Sequence, residues 1–171
     1  MSREKVVNGF LVSKTDPKGK ITYCNEAFIN ISGFTEEELL GKPHNIVRHT
    51  DMPRSIFAYL WKKISNKEEV NVYVKNLAKN GDYYWVFANV TPSLDIRGNI
   101  IGYYSVRRKP NARGIESATA LYAKIKEAEN NGGIESGLAF FRQYFQDLGQ
   151  SYENFVLHLQ VEDEHSKEDK K

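Results

Sequence analysis

A chain of 171 residues, 40% hydrophobic and 12% aromatic, is long enough for one domain of ordinary size plus an extension, with ample apolar matter for a core. A formal net charge of +2 argues against nucleic acid, which calls for a basic stripe rather than a balanced surface. The single cysteine, Cys24, excludes an internal disulfide framework and fits a reducing compartment.

The opening "MSREKVVNGFLV" lacks the apolar stretch and cleavage site of a signal peptide, and no apolar run approaches the roughly 20 residues that span a bilayer. The expectation is a soluble, cytoplasmic protein that reaches the inner membrane only through a partner. Ten Tyr and nine Phe suit either an aromatic-rich core or a lined pocket.

Along the chain, "NGFLVSKTDPKGKITYCNEAF" reads as a hairpin, with apolar Phe10, Val12, Ile21 and Tyr23 flanking the turn "DPKG". Asn25 suits the N-cap of the helix "EAFINIS", which Gly33 ends. Thr35 and Glu38 have the spacing of a capping box for "EEELLG". After the loop "PHNIVRHTDMP", Ile56, Phe57, Leu60, Trp61 and Ile64 share one side of an amphipathic helix.

The period then changes to two. Val70, Val72 and Val74 alternate with polar or larger residues, "KNGD" turns the chain, and "YYWVFANVTP" and "IIGYYSVRRK" follow as strands separated by "DIRGN". Two strands, several short helices and three further strands joined by tight turns predict an α+β domain: a five-stranded antiparallel sheet with short helices on one face. Its limits are set at 1–110.

Beyond Pro110, "SATALYAKIKEAEN" predicts a helix stopped by "NGG". Ile134, Leu138, Phe141, Phe145, Leu148, Tyr152, Phe155 and Leu159 then fall at heptad-like spacing, which predicts one helix running through Gly149 despite about 1 kcal/mol of lost propensity there. Residues 111–161 are therefore a C-terminal helical extension. The charged tail 162–171, "EDEHSKEDKK", is expected to be disordered.

The span from about Phe10 to Arg108 resembles a PAS domain. "PHNIVRHTDMP" followed by Trp61, "VKNLAKNGDYYWVFANVTP" and "GYYSVR" is similar to the flavin-binding PAS domain of aerotaxis and energy-taxis receptors. The resemblance covers about two thirds of the chain. One departure is Thr50, where that family usually has proline.

That resemblance implies noncovalent FAD, with redox state as the signal. It further implies a small PAS protein that contacts a separate membrane-bound chemotaxis transducer. Chemistry supports the loop's role, since a guanidinium binds phosphate oxygens through paired charged hydrogen bonds. Arg48 is the candidate for the pyrophosphate and His49 a second donor. Asp51 would orient either of them or accept from a ribose hydroxyl; alternatively it caps the next helix.

Trp61 would cover adenine or isoalloxazine, or else be a core residue. Asn25 matches a family position required for flavin, although an N-cap needs no ligand. Asn76 offers an amide to the ring's donor–acceptor edge. Arg107 resembles the position near the reactive ring edge, where a cation favours the reduced, anionic form.

A light-driven adduct is not expected, because Cys24 lies on an early strand. Haem is the rival cofactor, with His44 or His49 as ligand. A cofactor-free interaction module is a further alternative.

No catalytic triad, metal-spaced cysteines or Gly-rich nucleotide loop is present, so a signalling module without turnover is expected, with no catalytic or metal residue to name. Strand alternation turns Val86, Ala88 and Val90 towards the cofactor and Trp85 and Phe87 outwards. Trp85 and Phe87 would then dock a partner, a second copy of the chain, or the C-terminal helix itself.

Overall fold

A computed structural model describes residues 1–165. The sheet holds β1 (Leu11–Thr15), β2 (Ile21–Cys24), β3 (Val70–Leu77), β4 (Tyr83–Leu94) and β5 (Ile100–Arg108), in the spatial order β2-β1-β5-β4-β3 with every pairing antiparallel. The first and last strands in sequence lie side by side at the centre, so positions far apart in the chain share one wall. Ser13 stands opposite Ser105, and Leu11 opposite Arg107.

Between β2 and β3 run α1 (Glu26–Ser32), α2 (Glu36–Leu39), a 3₁₀ turn (His44–Val47) and α3 (Arg54–Ser65). The expected caps are present. Asn25 accepts a hydrogen bond from the Phe28 amide at 3.1 Å, and Thr35 and Glu38 satisfy each other's backbone amides. These helices cover one face of the sheet.

The other face is covered by the same chain's extension. Helix α4 (Ala112–Leu148) kinks at Gly132 and Gly133, where the backbone leaves helical angles, and α5 (Tyr152–His165) follows. Asn111 caps α4 by accepting from the Gly114 amide at 2.6 Å. Strand alternation does turn Trp85 and Phe87 away from the face that α3 covers. They are not an open docking pair, however. They are only 7% and 5% exposed, with Tyr122 of α4 stacked on Trp85 and Arg108 over Phe87. Burial of two large aromatics is worth several kcal/mol, which favours folding the extension back.

The single heptad helix is also corrected. Gly149, at φ +72°, closes α4 by a left-handed turn, and Leu148 is 46% exposed. The buried stripe of α5 is Tyr152, Val156 and Leu159, while Phe155 is only partly covered. A glycine at a helix end adopts positive φ with no Cβ penalty, so two shorter helices can follow the twisted sheet where one straight helix could not. Residues 162–165 continue α5 rather than the expected tail, and the remainder of that tail, 166–171, lies outside the described residues.

A carboxylate joins the two helical layers. Glu129 of α4, buried, accepts the Ser55 amide at 2.6 Å and also the Ser55 hydroxyl. Since Pro53 offers no side-chain cap to α3, the acceptor for that helix start comes from α4 instead. Gly137 makes room for it: a Cβ there would stand 2.0 Å from the Ser55 Oγ.

Candidate functional site

A cavity of about 380 Å³ lies between α3 and the inner face of the sheet. Its size falls in the ordinary range for small-ligand sites, roughly 300–1,000 Å³. Phe57, Leu60, Trp61 and Ile64 of α3 form one apolar wall, and Val72, Val74, Ala88 and Val90 of β3 and β4 form the facing one. The helical spacing of the first set and the period-two spacing of the second deliver them to the same space.

The polar lining is concentrated on other elements. Ser13 and Thr15 come from β1, Asn76 from β3, and Ser105 and Arg107 from β5, while His44, Asn45 and Arg48 come from the 3₁₀ segment. Four of the five buried polar side-chain atoms without a hydrogen-bond partner among the described residues belong to this lining: Thr15 Oγ1, Arg48 Nε, Ser105 Oγ and Arg107 Nη1. Native interiors satisfy nearly all such groups, and orphaned ones cost about 1–3 kcal/mol each. Their gathering in one hollow is the mark of a place where a ligand supplies acceptors.

Arg107 is 4% exposed and has no carboxylate beside it among the described residues. Its Nη2 donates to Ser13 Oγ at 2.7 Å and to His44 Nε2 at 2.6 Å, and its carbon lies 5.1 Å over the Phe28 ring. Burial lowers its pKa to about 10, which leaves it a cation at neutral pH. His44 is pushed down to about 3, first by burial of the ring and then by the charge of Arg107. The imidazole is therefore neutral, and Nε2 is the acceptor.

Arg48 ends the 3₁₀ turn with its guanidinium 3.8 Å over the ring of Phe57, and its backbone pairs with that of Asn76. Burial lowers its pKa as well. Asn76 is 4% exposed and lines the same hollow from β3. Trp61 meets Tyr103 edge-on at 5.4 Å and stands against the β1–β2 turn. There Gly19, at φ +84°, leaves the indole its space. Thus Arg48, Trp61, Asn76 and Arg107 are brought together.

Three expected site residues are placed elsewhere. Asn25 does not line the cavity; its carboxamide oxygen accepts from Val12 and Phe28 and its nitrogen donates to Phe10, so it fixes the β1–α1 junction. His49 points away, edge-on to Tyr83 at 6.2 Å, and accepts from the Asp51 amide. Burial, and then the charge of Lys75, lower its pKa.

Asp51 pairs with Lys75 at 2.7 Å, which lowers its carboxyl pKa, and it does not cap α3. It borders a second hollow, of about 350 Å³, together with Lys75, Trp85, Tyr122 and Lys126. A turn in which the Met52 amide donates to the His49 carbonyl at 3.1 Å separates Arg48 from Asp51, so one loop borders both hollows.

Sequence reasoning missed Ser13, Thr15 and Ser105 as site residues and considered His44 only as a haem ligand. The available signal was strand alternation, which sets both serines on the side of Leu11 and Arg107 rather than that of Val12 and Val106. Cys24 is buried, and burial raises its thiol pKa; it does not line the cavity.

Residues 21–107 match the PAS fold family. The chain is 41% identical to the aerotaxis receptor of Escherichia coli (strain K12) over 128 residues, 75% of this chain and 25% of the receptor. It is 28% identical to a nitrogen fixation regulatory protein of Klebsiella pneumoniae over 97 residues, 57% of this chain and 20% of that protein. It thus spans a quarter or less of these relatives' length.

Among solved structures, the light state of the blue-light photoreceptor Aureochrome1 LOV domain superposes with a TM-score of 0.56 at 21% identity, covering 68% of this chain and 91% of that one. Sheet order, helical cover and sequence match agree: the chain belongs to the PAS family, with a domain similar to that of the aerotaxis receptor.

Proposed function

We propose that this PAS domain binds FAD noncovalently and acts as a redox or energy sensor. It would signal by protein contact to a chemotaxis transducer, without catalytic turnover, in the cytoplasm. The observation that carries the reading is the cavity with apolar walls and orphaned donors on two guanidinium groups. A planar ring with acceptor edges suits those walls, and a diphosphate suits Arg48. FAD would supply the electron-accepting ring; Asn76 and Arg107 would hold its polar edge, and Trp61 would cover it. The resemblance to the aerotaxis receptor points the same way. No helix among the described residues is long and apolar enough to cross a membrane, so a transducer would have to be a separate chain or a segment outside these residues.

Haem fits less well. His44 Nε2 is engaged by Arg107 and Ser13, and His49 faces away from the cavity, so neither imidazole is set for iron. Because α4 and α5 cover the outer sheet face, the contact to a partner or a second copy of the chain would use the outer surface of those helices, where Leu148 and Leu157 are exposed.

The test is the absorption spectrum of protein purified from its native host, followed by heat release and chromatography of the bound compound. Flavin bands and released FAD are expected. A Soret band, or a colourless protein that takes up no added FAD, would overturn the reading.

A further inference from the structure

The guanidinium of Arg107 is fixed by two neutral groups. Its Nη2 meets His44 Nε2 and Ser13 Oγ, while Nη1, lining the cavity, has no partner among the described residues. Ser105, two residues earlier on the same face of β5, likewise has an orphaned hydroxyl. A buried cation is ordinarily matched by a carboxylate, because an isolated buried charge is strongly unfavourable. Here the partner is an imidazole that brings no charge. It orients the guanidinium through one nitrogen and leaves its positive charge uncancelled.

His44 is itself held firmly. Its ring packs edge-on against Phe28 at 5.8 Å, and its amide donates to the Gly19 carbonyl at 3.1 Å, in the turn that borders Trp61. The other charged or titratable groups near this pair are Arg48, Cys24 and Tyr84, none of which is an anion at neutral pH.

We propose that His44 is a positioning residue: it presents Arg107 as an unneutralised cation to the cavity and makes that wall, with Ser13 and Ser105, a subsite selective for the anionic edge of a ring ligand. The inference rests on the flavin reading and deepens it. An oxidised flavin ring is neutral, whereas the reduced ring carries a negative charge at neutral pH. The subsite therefore favours the reduced ring over the oxidised one. A glutamate or aspartate in place of His44 would remove that preference by neutralising the guanidinium in advance.

The experiment measures dissociation constants of the full chain for oxidised and dithionite-reduced riboflavin, which has the ring and no phosphate, so that Arg48's proposed phosphate contact plays no part. The wild type is expected to bind the reduced ring at least tenfold more tightly than the oxidised one. Arg107→Gln and His44→Asn should each lower that ratio tenfold or more, about 30 mV in the two-electron potential.

His44→Gln, whose amide oxygen reaches where Nε2 lies, should restore the ratio to within threefold of wild type; asparagine is too short to reach. A merely structural role for His44 would weaken both forms alike and leave the ratio alone. A ratio unmoved in Arg107→Gln or His44→Asn, with riboflavin still bound, overturns the inference while the flavin reading stands. Should the wild type take up neither form nor FAD, the flavin reading fails and the inference falls with it. Far-UV circular dichroism confirms folding, and if His44→Asn does not fold, the ratios in Arg107→Gln and His44→Gln decide the matter.

Discussion

The guanidinium carbon of Arg48 lies 3.8 Å from the centre of the Phe57 ring, so the cation at the end of the 3₁₀ turn rests on the helix that walls the cavity. Cation–π contact and stacking hold the fork in place without consuming all its hydrogen-bond donors, and Nε remains without a partner among the described residues. Arg48→Ala is expected to leave the fold intact and lower FAD retention ten- to a hundredfold, about 1.5–3 kcal/mol for lost charged hydrogen bonds. Absorbance of the protein fraction after gel filtration with FAD measures this. Full occupancy in the variant would refute the phosphate assignment.

Gly19 carries a second prediction. A Cβ at that position would meet the Trp61 ring at 2.9 Å, on a backbone already at φ +84°. Gly19→Ala should therefore cost about 1–2 kcal/mol of backbone strain and displace the indole. Urea unfolding reads the first effect and tryptophan emission the second. Unchanged emission would show that the indole is not seated against the turn.

Removal of the carboxylate at Glu129 orphans both the amide and the hydroxyl of Ser55. Glu129→Ala should lose about 2–4 kcal/mol of unfolding free energy, being two unmet buried donors at about 1–3 kcal/mol each with partial relaxation. Glu129→Gln keeps an acceptor oxygen and should lose less. Equal losses for the two variants would mean that packing, not acceptance, is what Glu129 contributes.

His44 makes stability depend on pH in a fixed direction. Its pKa falls from the ordinary value near 6.5 to about 3 on folding, so the unfolded chain binds the extra proton first. Its contribution is fully present above about 6.5 and is lost as pH drops towards 3. His44→Gln should flatten the stability profile across that window. Equilibrium denaturation at pH 4, 5, 6 and 7 checks it, and an unchanged slope would show that His44 does not titrate differently in the folded state.

Tyr122 ties the extension to the sheet. Its ring stacks on Trp85, and its hydroxyl meets the Tyr73 carbonyl at 2.6 Å and the Tyr152 hydroxyl at 2.7 Å. Tyr122→Ala should cost about 3–5 kcal/mol and speed amide exchange in α4 and α5 before the central strands. Uniform exchange across sheet and helices would instead indicate a single cooperative unit.

Within residues 1–110 the strands, the capped helices and their order were legible in the residues alone. Caps at Asn25 and Thr35, the turn at Gly19 and the change of period near Val70 are local features, fixed by hydrogen bonds and sterics within a few residues. Alternation along β4 also separated Val86, Ala88 and Val90 from Trp85 and Phe87, although only Ala88 and Val90 line the cavity and Val86 is buried in the core instead.

Tertiary structure decided what lies against each side. The closure of β1 on β5 brought Ser13, Ser105 and Arg107 together from opposite ends of the domain, a pairing no local pattern encodes. The turn at His49–Met52 divided a loop that reads as one cluster between two separate hollows. The break at Gly149 let α5 turn back onto β3, where Gln160 accepts from the Tyr73 hydroxyl at 3.1 Å, because heptad spacing records which residues are apolar but not whether the helix carrying them is continuous. Long-range burial outweighs a local pattern where the energies involved are several kcal/mol against about one.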